Sequence, residues 1–160
     1  MQKEAFSVME YNVSQEARVW DRVLASDRAE CPAPSADLTA FIRGELAAAC
    51  TYERLATRVC APAAEMLRCI AHEERCHAAR LGAISFLMTG KKVCPERVEP
   101  DCITCAVETL RARYRKELAD AESYEALAAS GGEHADTYAA MAAEEHRHAQ
   151  MLVCVIQRVL

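Results

Sequence analysis

The chain repeats itself after 71 or 72 residues, and this internal repeat limits the possible folds more than any other feature of the sequence. Three segments of the first half recur in the second: Glu45-Leu-Ala as Glu117-Leu-Ala, Tyr52-Glu-Arg-Leu-Ala as Tyr124-Glu-Ala-Leu-Ala, and Glu73-Glu-Arg-Cys-His-Ala as Glu144-Glu-His-Arg-His-Ala. A nearly constant offset over separate segments is typical of a duplicated structural unit. Here that unit is predicted to be a helical hairpin.

The composition and the positions of helix breakers predict an all-α chain. Gly and Pro number only five each among 160 residues, and 52% of the residues are apolar, a balance that favours helices. Breaks rich in Pro or Gly separate four predicted helices, at about 36–60, 62–89, 105–130 and 133–159. A shorter helix is predicted at about 14–28. We therefore divide the chain into an N-terminal segment, residues 1–34, and a four-helix bundle, residues 35–160.

Each predicted helix has an apolar stripe with ionisable residues at its middle. The second and fourth stripes are Leu67, Ile70, Glu74, His77, Leu81, Ile84 and Met88, and Tyr138, Met141, Glu145, His148, Leu152, Val155 and Val159. Residues three apart on a helix share one face, so each Glu-x-x-His pair addresses one point in the core. The first and third stripes add Glu45 and Glu117 at the same height.

Four carboxylates buried at one level require compensating positive charge. Without a cation, their burial would be very unfavourable or would force the carboxyl groups to take up protons. Two divalent or trivalent metal ions would balance the charge. The candidate ligands, which are also the candidate catalytic residues, are Glu45, Glu74, His77, Glu117, Glu145 and His148. The alternative is a solvated helix face, which the repeat and the apolar stripes disfavour.

One Glu from each of two helices, with Glu-x-x-His from each of the other two, is the ligand pattern of ferritin-like di-iron carboxylate proteins. The chain resembles this superfamily over about residues 36–159. Within it the chain is most similar to rubrerythrin, because Gly44-Glu45 is followed seven residues later by Tyr52. The resemblance implies a ferritin-like four-helix bundle with a long crossover between helices 2 and 3. It also implies ligand roles: Glu74 and Glu145 as bridges, Glu45 and Glu117 as terminal ligands, and His77 and His148 on one metal each.

The linker between the second and third helices is long enough for such a crossover. If the halves are equivalent, the first and third helices are expected to point the same way, and the linker from about residue 90 to 104 to travel the length of the bundle. A helix of ~25 residues is ~37 Å long at ~1.5 Å per residue. The extended linker can reach roughly 50 Å at ~3.3 Å per residue.

Other residues near the predicted site leave two interpretations open. Rubrerythrins carry a second Glu three residues after the ligand of the third helix, and Asp120 has that spacing, which makes it a candidate seventh, redox-dependent ligand. Alternatively, Asp120 pairs with Arg113 or with bulk water. Tyr52 and Tyr124 either donate hydrogen bonds to the carboxylates and carry electrons, or only pack in the core.

The chain has nine cysteines. Four fall inside helical patterns, where cysteine usually behaves as a small hydrophobe: Cys50, Cys60, Cys69 and Cys76. Cys102-x-x-Cys105, with Cys94 nearby, is either a redox-active dithiol at a helix N-terminus or a coincidence of the helix start. A rubredoxin iron site needs two such motifs, so we predict that the rubredoxin domain of rubrerythrins is missing.

Charge and hydropathy argue against partners that are nucleic acids or membranes. The net charge is −5 with interleaved acids and bases, which predicts neither a nucleic-acid groove nor a basic membrane patch. No run approaches the ~18 apolar residues of a membrane span, and residues 1–12 lack the apolar core of a signal peptide. These features predict a cytoplasmic protein without membrane partners.

The leading hypothesis is a rubrerythrin-like oxidoreductase that reduces hydrogen peroxide, or oxygen, with electrons from an external donor such as rubredoxin. Its cofactor would be two iron ions, with manganese or a mixed pair left open because oxygen and nitrogen ligands accept both metals. A homodimer is expected. The alternatives are a ferroxidase or other iron-handling ferritin-like protein, a manganese enzyme of the catalase type, and a non-catalytic metal-binding bundle.

Overall fold

The computed structural model describes residues 38–95 and 98–160, which form four α-helices and contain no strand. These helices are α1 (Leu38–Ala56), α2 (Ala61–Thr89), α3 (Ala106–Ala129) and α4 (Ala135–Val159). The prediction of an all-α chain with four long helices is confirmed. The helix predicted at 14–28, and the N-terminal segment 1–34 as a whole, lie outside the described residues. Within the described ranges, no helix has both the length and the hydropathy needed to cross a membrane.

Local chemistry ends the first two helices. The helix predicted to reach residue 60 ends instead at Ala56, because the backbone N–H of Arg58 bonds to the carbonyl of Leu55, only three residues back, at 2.9 Å. At the end of α2, Gly90 adopts a left-handed φ of 67° and its N–H bonds to the carbonyl of Phe86. A residue without a Cβ takes that conformation without strain.

Two buried apolar clusters fill opposite ends of the bundle. The Leu38 core contains Leu38, Ile42, Ala78, Leu81, Ile84, Tyr124, Tyr138, Met141 and Ala142. The Leu55 core contains Ala48, Tyr52, Leu55, Ala56, Ala63, Ala64, Leu67, Ile70, Ala71, Ile103, Leu110, Leu152 and Val155. Helices α1 and α4 therefore run from the Leu38 core to the Leu55 core, and α2 and α3 run in the opposite direction. Met88, predicted as part of the inward stripe of α2, is instead 45% exposed.

The expectation that the first and third helices point the same way is wrong. Tyr52, one heptad after Glu45 in α1, donates a hydrogen bond to Glu117 of α3 at 2.5 Å. Tyr124, one heptad after Glu117, donates its hydrogen bond back to Glu45. Such reciprocal contacts require antiparallel helices, as across an interface with local twofold symmetry. Parallel helices would also have needed only a short link between α2 and α3, so the two parts of the expectation were incompatible.

The linker between α2 and α3 contacts both ends of the bundle. Val93 packs against the Leu38 core, whereas Ile103 belongs to the Leu55 core. The backbone N–H of Asp101 donates to Thr51 Oγ1 at 2.9 Å, and Arg58 Nη1 donates to the carbonyl of Ile103 at 2.5 Å. These contacts fix the second part of the linker against the end of α1.

In the described ranges, the cysteines do not serve as core hydrophobes. All eight that lie in the described ranges are free. Of the four assigned to helical patterns, Cys50 and Cys76 are half-buried, whereas Cys60 and Cys69 are exposed. Cys60 also lies just before α2 rather than inside a helix. The Cys-x-x-Cys pair is exposed, and its second member, Cys105, directly precedes α3.

Candidate metal centre

Six ionisable side chains lie between the two apolar cores and are at most 5% exposed: Glu45, Glu74, His77, Glu117, Glu145 and His148. They form two groups whose ligand atoms lie within 4.8 Å of one another. The Glu45 position consists of Glu45, Glu74, His77 and Glu145, and the Glu117 position of Glu74, Glu117, Glu145 and His148. The structure therefore brings all six predicted ligands together, and each group can hold a metal ion.

Both histidines direct the same ring nitrogen into the cluster. His77 Nδ1 lies 2.8 Å from Glu145 Oε1 and 3.4 Å from Glu74 Oε2. His148 Nδ1 lies 3.2 Å from Glu145 Oε2 and 3.4 Å from Glu117 Oε2. The two Nδ1 atoms are thus the nitrogens available to a metal.

Two glutamates outside the cluster orient these rings. His77 Nε2 lies 2.7 Å from Glu144 Oε2, and His148 Nε2 lies 2.7 Å from Glu73 Oε2. An Nε2–H donated to a carboxylate leaves Nδ1 to face the ligand cluster, which is the usual arrangement around metal-bound histidine. Each glutamate is held in turn by an arginine, Arg80 at 2.6 Å and Arg147 at 2.9 Å.

Glu73 and Glu144 were not among the residues predicted from the sequence to have a function. Their signal was present in the repeat, because each directly precedes a candidate ligand in both copies of the Glu-Glu-x-x-His segment. In a helix, adjacent residues point about 100° apart, so the first Glu of each pair cannot face the same point as the second. It faces instead the histidine of the opposite helix, which sequence spacing alone does not show.

We expect Glu144→Gln to lower metal affinity by about 10- to 100-fold, as loss of a carboxylate behind a ligating histidine typically does. The amide of Gln is uncharged and is a weaker acceptor for the Nε2–H of His77 than the carboxylate that it replaces. Isothermal titration with Mn²⁺ measures the change. Glu125→Gln is the matched control, because it removes a similar Glu–His contact at 2.9 Å, with His146, on the exposed surface. Equal losses of affinity in both variants would contradict an orienting role for Glu144.

The two tyrosines of the repeat are bound to the carboxylates of the opposite half. Tyr52 and Tyr124 are fully buried, and their hydroxyls donate to Glu117 Oε1 and Glu45 Oε1, respectively. The interpretation in which they donate hydrogen bonds to the carboxylates is therefore confirmed. A role in electron transfer remains a prediction.

Five buried atoms of the cluster make no hydrogen bond of good geometry with a described residue: both carboxylate oxygens of Glu74, His77 Nδ1, Glu117 Oε2 and Glu145 Oε1. A buried polar atom without a partner typically destabilises a protein by about 1–3 kcal/mol. These atoms converge, and they are the oxygen and nitrogen donors that suit iron and manganese. The residues thus fit a metal centre, and a bound ion would satisfy the unpaired atoms.

The four carboxyl groups differ in their tendency to ionise. Burial raises the pKa of Glu45 well above its usual range, with a further contribution from Glu74, and burial raises the pKa of Glu117 to about 8. Burial opposes ionisation of Glu74 and Glu145 as well. Close contacts with the rings of His148 and His77 nevertheless hold the pKa of both carboxyl groups below the usual value.

Both histidines are easily protonated when no metal is bound. Burial alone would lower the pKa of His77, but the close carboxylates of Glu145 and Glu74 raise it to about 10. Burial opposes the charged form of His148 too, and the close carboxylates of Glu117 and Glu145 raise its pKa. At neutral pH the metal-free cluster therefore holds several protons, and metal binding must release some of them.

Asp120 belongs to neither metal-binding group. Its carboxylate pairs with Lys116, one turn earlier in α3, so the predicted pairing with Arg113 is wrong. Arg113 instead binds Glu117 at 2.7 Å. A role for Asp120 as a redox-dependent ligand stays a prediction.

Comparisons of this chain with family models, curated proteins and solved structures found no match.

Proposed function

We propose that this chain is a ferritin-like di-metal carboxylate protein, most similar to rubrerythrin without its rubredoxin domain. We further propose that it reduces hydrogen peroxide, or oxygen, with electrons from an external donor such as rubredoxin. The observation that carries the proposal is the pair of buried ligand groups that share Glu74 and Glu145. In this proposal the linker between α2 and α3 is the long crossover of the ferritin-like bundle.

The proposed metal roles follow the membership of the two groups. Glu74 and Glu145 belong to both and would bridge the metals, whereas Glu45 and Glu117 each belong to one and would be terminal ligands. Two iron ions are the proposed occupants, and manganese or a mixed pair remains an alternative for the same donor atoms. Two redox-active ions held here would supply the two electrons that reduction of peroxide to water consumes.

The chain itself would keep this centre oriented and would shield it from water at both ends of the bundle. Tyr52 and Tyr124 hold the terminal carboxylates through their hydroxyls, and Glu73 and Glu144 hold the histidine rings. The apolar cores on both sides limit access of water, which suppresses side reactions of reactive oxygen species. A preformed and rigid set of ligands is also what efficient chemistry at a metal requires.

We expect ferrous protein to be oxidised faster by hydrogen peroxide than by oxygen at equal concentration. Hydrogen peroxide is oxygen already reduced by two electrons, so two more electrons cleave its O–O bond. Oxygen must first be reduced to the peroxide level. Anaerobic protein loaded with Fe²⁺ is mixed with each oxidant in a stopped-flow instrument, and the ferric absorption is followed. Rubredoxin with its reductase is then added, and repeated turnover is expected.

The other outcomes of this experiment assign the alternative functions. Faster reaction with oxygen, together with release of ferric mineral, would identify an iron-handling protein instead. A protein that binds two ions and reacts with neither oxidant would be a non-catalytic bundle. His77→Ala is the internal control, since loss of one terminal ligand is expected to slow oxidation while circular dichroism shows the helices intact.

A further inference from the structure

The repeat places different residues beside its two copies of the terminal glutamate. Phe41 in α1 and Arg113 in α3 are 72 residues apart, and each lies four residues before the glutamate of its helix. Phe41 packs on Tyr124 with ring centroids 5.6 Å apart. The guanidinium of Arg113 lies 5.1 Å from the ring centroid of Tyr52. One half of the molecule thus has a neutral ring where the other half has a cation.

Arg113 is buried, and it binds the carboxylate of Glu117 in the Glu117 position. Its side chain is only 10% exposed, and its Nη2 lies 2.7 Å from Glu117 Oε1. The same oxygen accepts the hydroxyl of Tyr52 at 2.5 Å, and Arg113 Nε donates to that hydroxyl at 3.3 Å. Asp101 is 4.0 Å from Arg113 but is itself half exposed, so it screens the guanidinium only weakly. A guanidinium stays charged at every accessible pH.

The Glu45 position has a neutral partner and an open side. Glu45 Oε1 accepts the uncharged hydroxyl of Tyr124. A cavity of about 240 Å³ reaches Glu45 between α1 and α3, and its lining includes Gly44, Lys116 and Asp120. Lys116 is the cation of this cavity, and Asp120 pairs with it, which compensates its charge. The cavity offers an ion or a small oxidant a path to this position.

We infer that the two metal positions are unequal: the Glu45 position fills first and binds more tightly, and Arg113 weakens the Glu117 position. This inference rests on the proposed metal centre. A cation that is already bound to Glu117 competes with the metal for the charge of that carboxylate, and it repels a divalent ion a few ångströms away. At an effective dielectric constant of ~20, such a repulsion lowers affinity by more than about tenfold.

The unequal affinities have a consequence for loading. Protein that holds less than two equivalents of metal would have ions mainly at the Glu45 position, beside the cavity. The Glu117 position would exchange its ion more readily, and a pair of two different metals could be assembled in a defined order. The Glu117 position would thus be the adjustable half of the site.

The test is an anaerobic calorimetric titration of metal-free protein with Fe²⁺. Wild-type protein is expected to bind in two steps with dissociation constants at least about tenfold apart. Arg113→Gln, which removes the charge, is expected to strengthen the second step and bring the two constants together. Arg111→Gln is the matched control, because Arg111 lies on the same helix, is half exposed and pairs with Glu108. It should leave both steps unchanged.

A second measurement does not depend on any variant. Crystals of wild-type protein grown with one equivalent of Mn²⁺ should show anomalous density at the Glu45 position. Density at the Glu117 position, two equal binding steps, or steps that Arg113→Gln leaves unchanged would each overturn the inference. Complete lack of metal binding would overturn the proposed metal centre itself, so the two failures are distinguishable.

Discussion

Replacing Glu74 with Ala is expected to abolish metal binding at both positions. Glu74 belongs to both ligand groups, and neither of its carboxylate oxygens has a hydrogen-bond partner among the described residues. Loss of this side chain therefore removes one ligand from each position at once. Loss of a residue that only orients a ligand typically lowers metal affinity 10- to 100-fold. Loss of a shared ligand should therefore lower metal affinity by more than about a hundredfold. Glu145→Ala is expected to have the same effect, for the same reason.

Variants of the unshared residues make this prediction specific. Glu45→Ala should remove one metal and leave the other, because Glu45 belongs to one group only. Asp120→Ala should leave both metals bound, because Asp120 belongs to neither group. The metal content of each purified variant, measured by mass spectrometry after loading and desalting, gives the number of ions directly. Retention of two ions by Glu74→Ala would show that this carboxylate is not a bridge.

Removal of the metals is expected to lower the melting temperature, by a difference that increases as the pH rises from about 5 to 9. In the metal-free protein, His77 has a pKa of about 10 against a usual 6.5. Its contribution to stability is fully present below pH 6.5 and is lost as the pH rises through 10. Glu117, with a pKa raised from 4.5 to about 8, changes in the same direction. Metal displaces such protons, so the loaded protein does not lose this stability.

The metal-free protein is also expected to lose stability in acid. Glu74 and Glu145 have pKa values below the usual 4.5, so their contribution is present above pH 4.5 and is lost as the pH falls through the folded values. The metal-free protein should thus be most stable near pH 4.5, because the raised pKa of Glu117 makes its stability fall from that pH upward. At a free metal concentration 100 times Kd, one bound ion adds about 2.7 kcal/mol. For a chain of this size that corresponds to roughly 5–10 °C.

Thermal unfolding followed by circular dichroism, with and without chelator, measures both curves. His146→Ala is a suitable control, because this histidine pairs with Glu125 on the surface and should change neither the difference nor its slope. Equal melting temperatures of loaded and metal-free protein across the range would mean that the six side chains do not bind metal. A difference that increases toward pH 5 would contradict the protonation states described here.

The ligands and the helices that carry them could be predicted from the sequence because both depend on local spacing. A Glu and a His three residues apart share a helix face whatever surrounds the helix. Two such pairs, at matched places in apolar stripes, therefore indicate a buried cluster. The strongest breakers act through their own backbone: the ring of Pro62 fixes its φ, and Gly90 can adopt a left-handed φ. The bounds of α2 were therefore predicted closely. The repeat in turn predicted which side chains are equivalent.

Three features of the site were decided only by tertiary structure. The antiparallel direction of α1 and α3 depends on how two hairpins pack, and equivalence of the halves is compatible with either direction. The contacts of Glu73 and Glu144 with histidines connect different helices, and their positions depend on that packing. One alternative for Asp120 paired it with Arg113, yet Arg113 binds Glu117, four residues further along α3. The buried guanidinium of Arg113 pairs with the buried carboxylate of Glu117. Which carboxylates are buried is decided only when the bundle assembles.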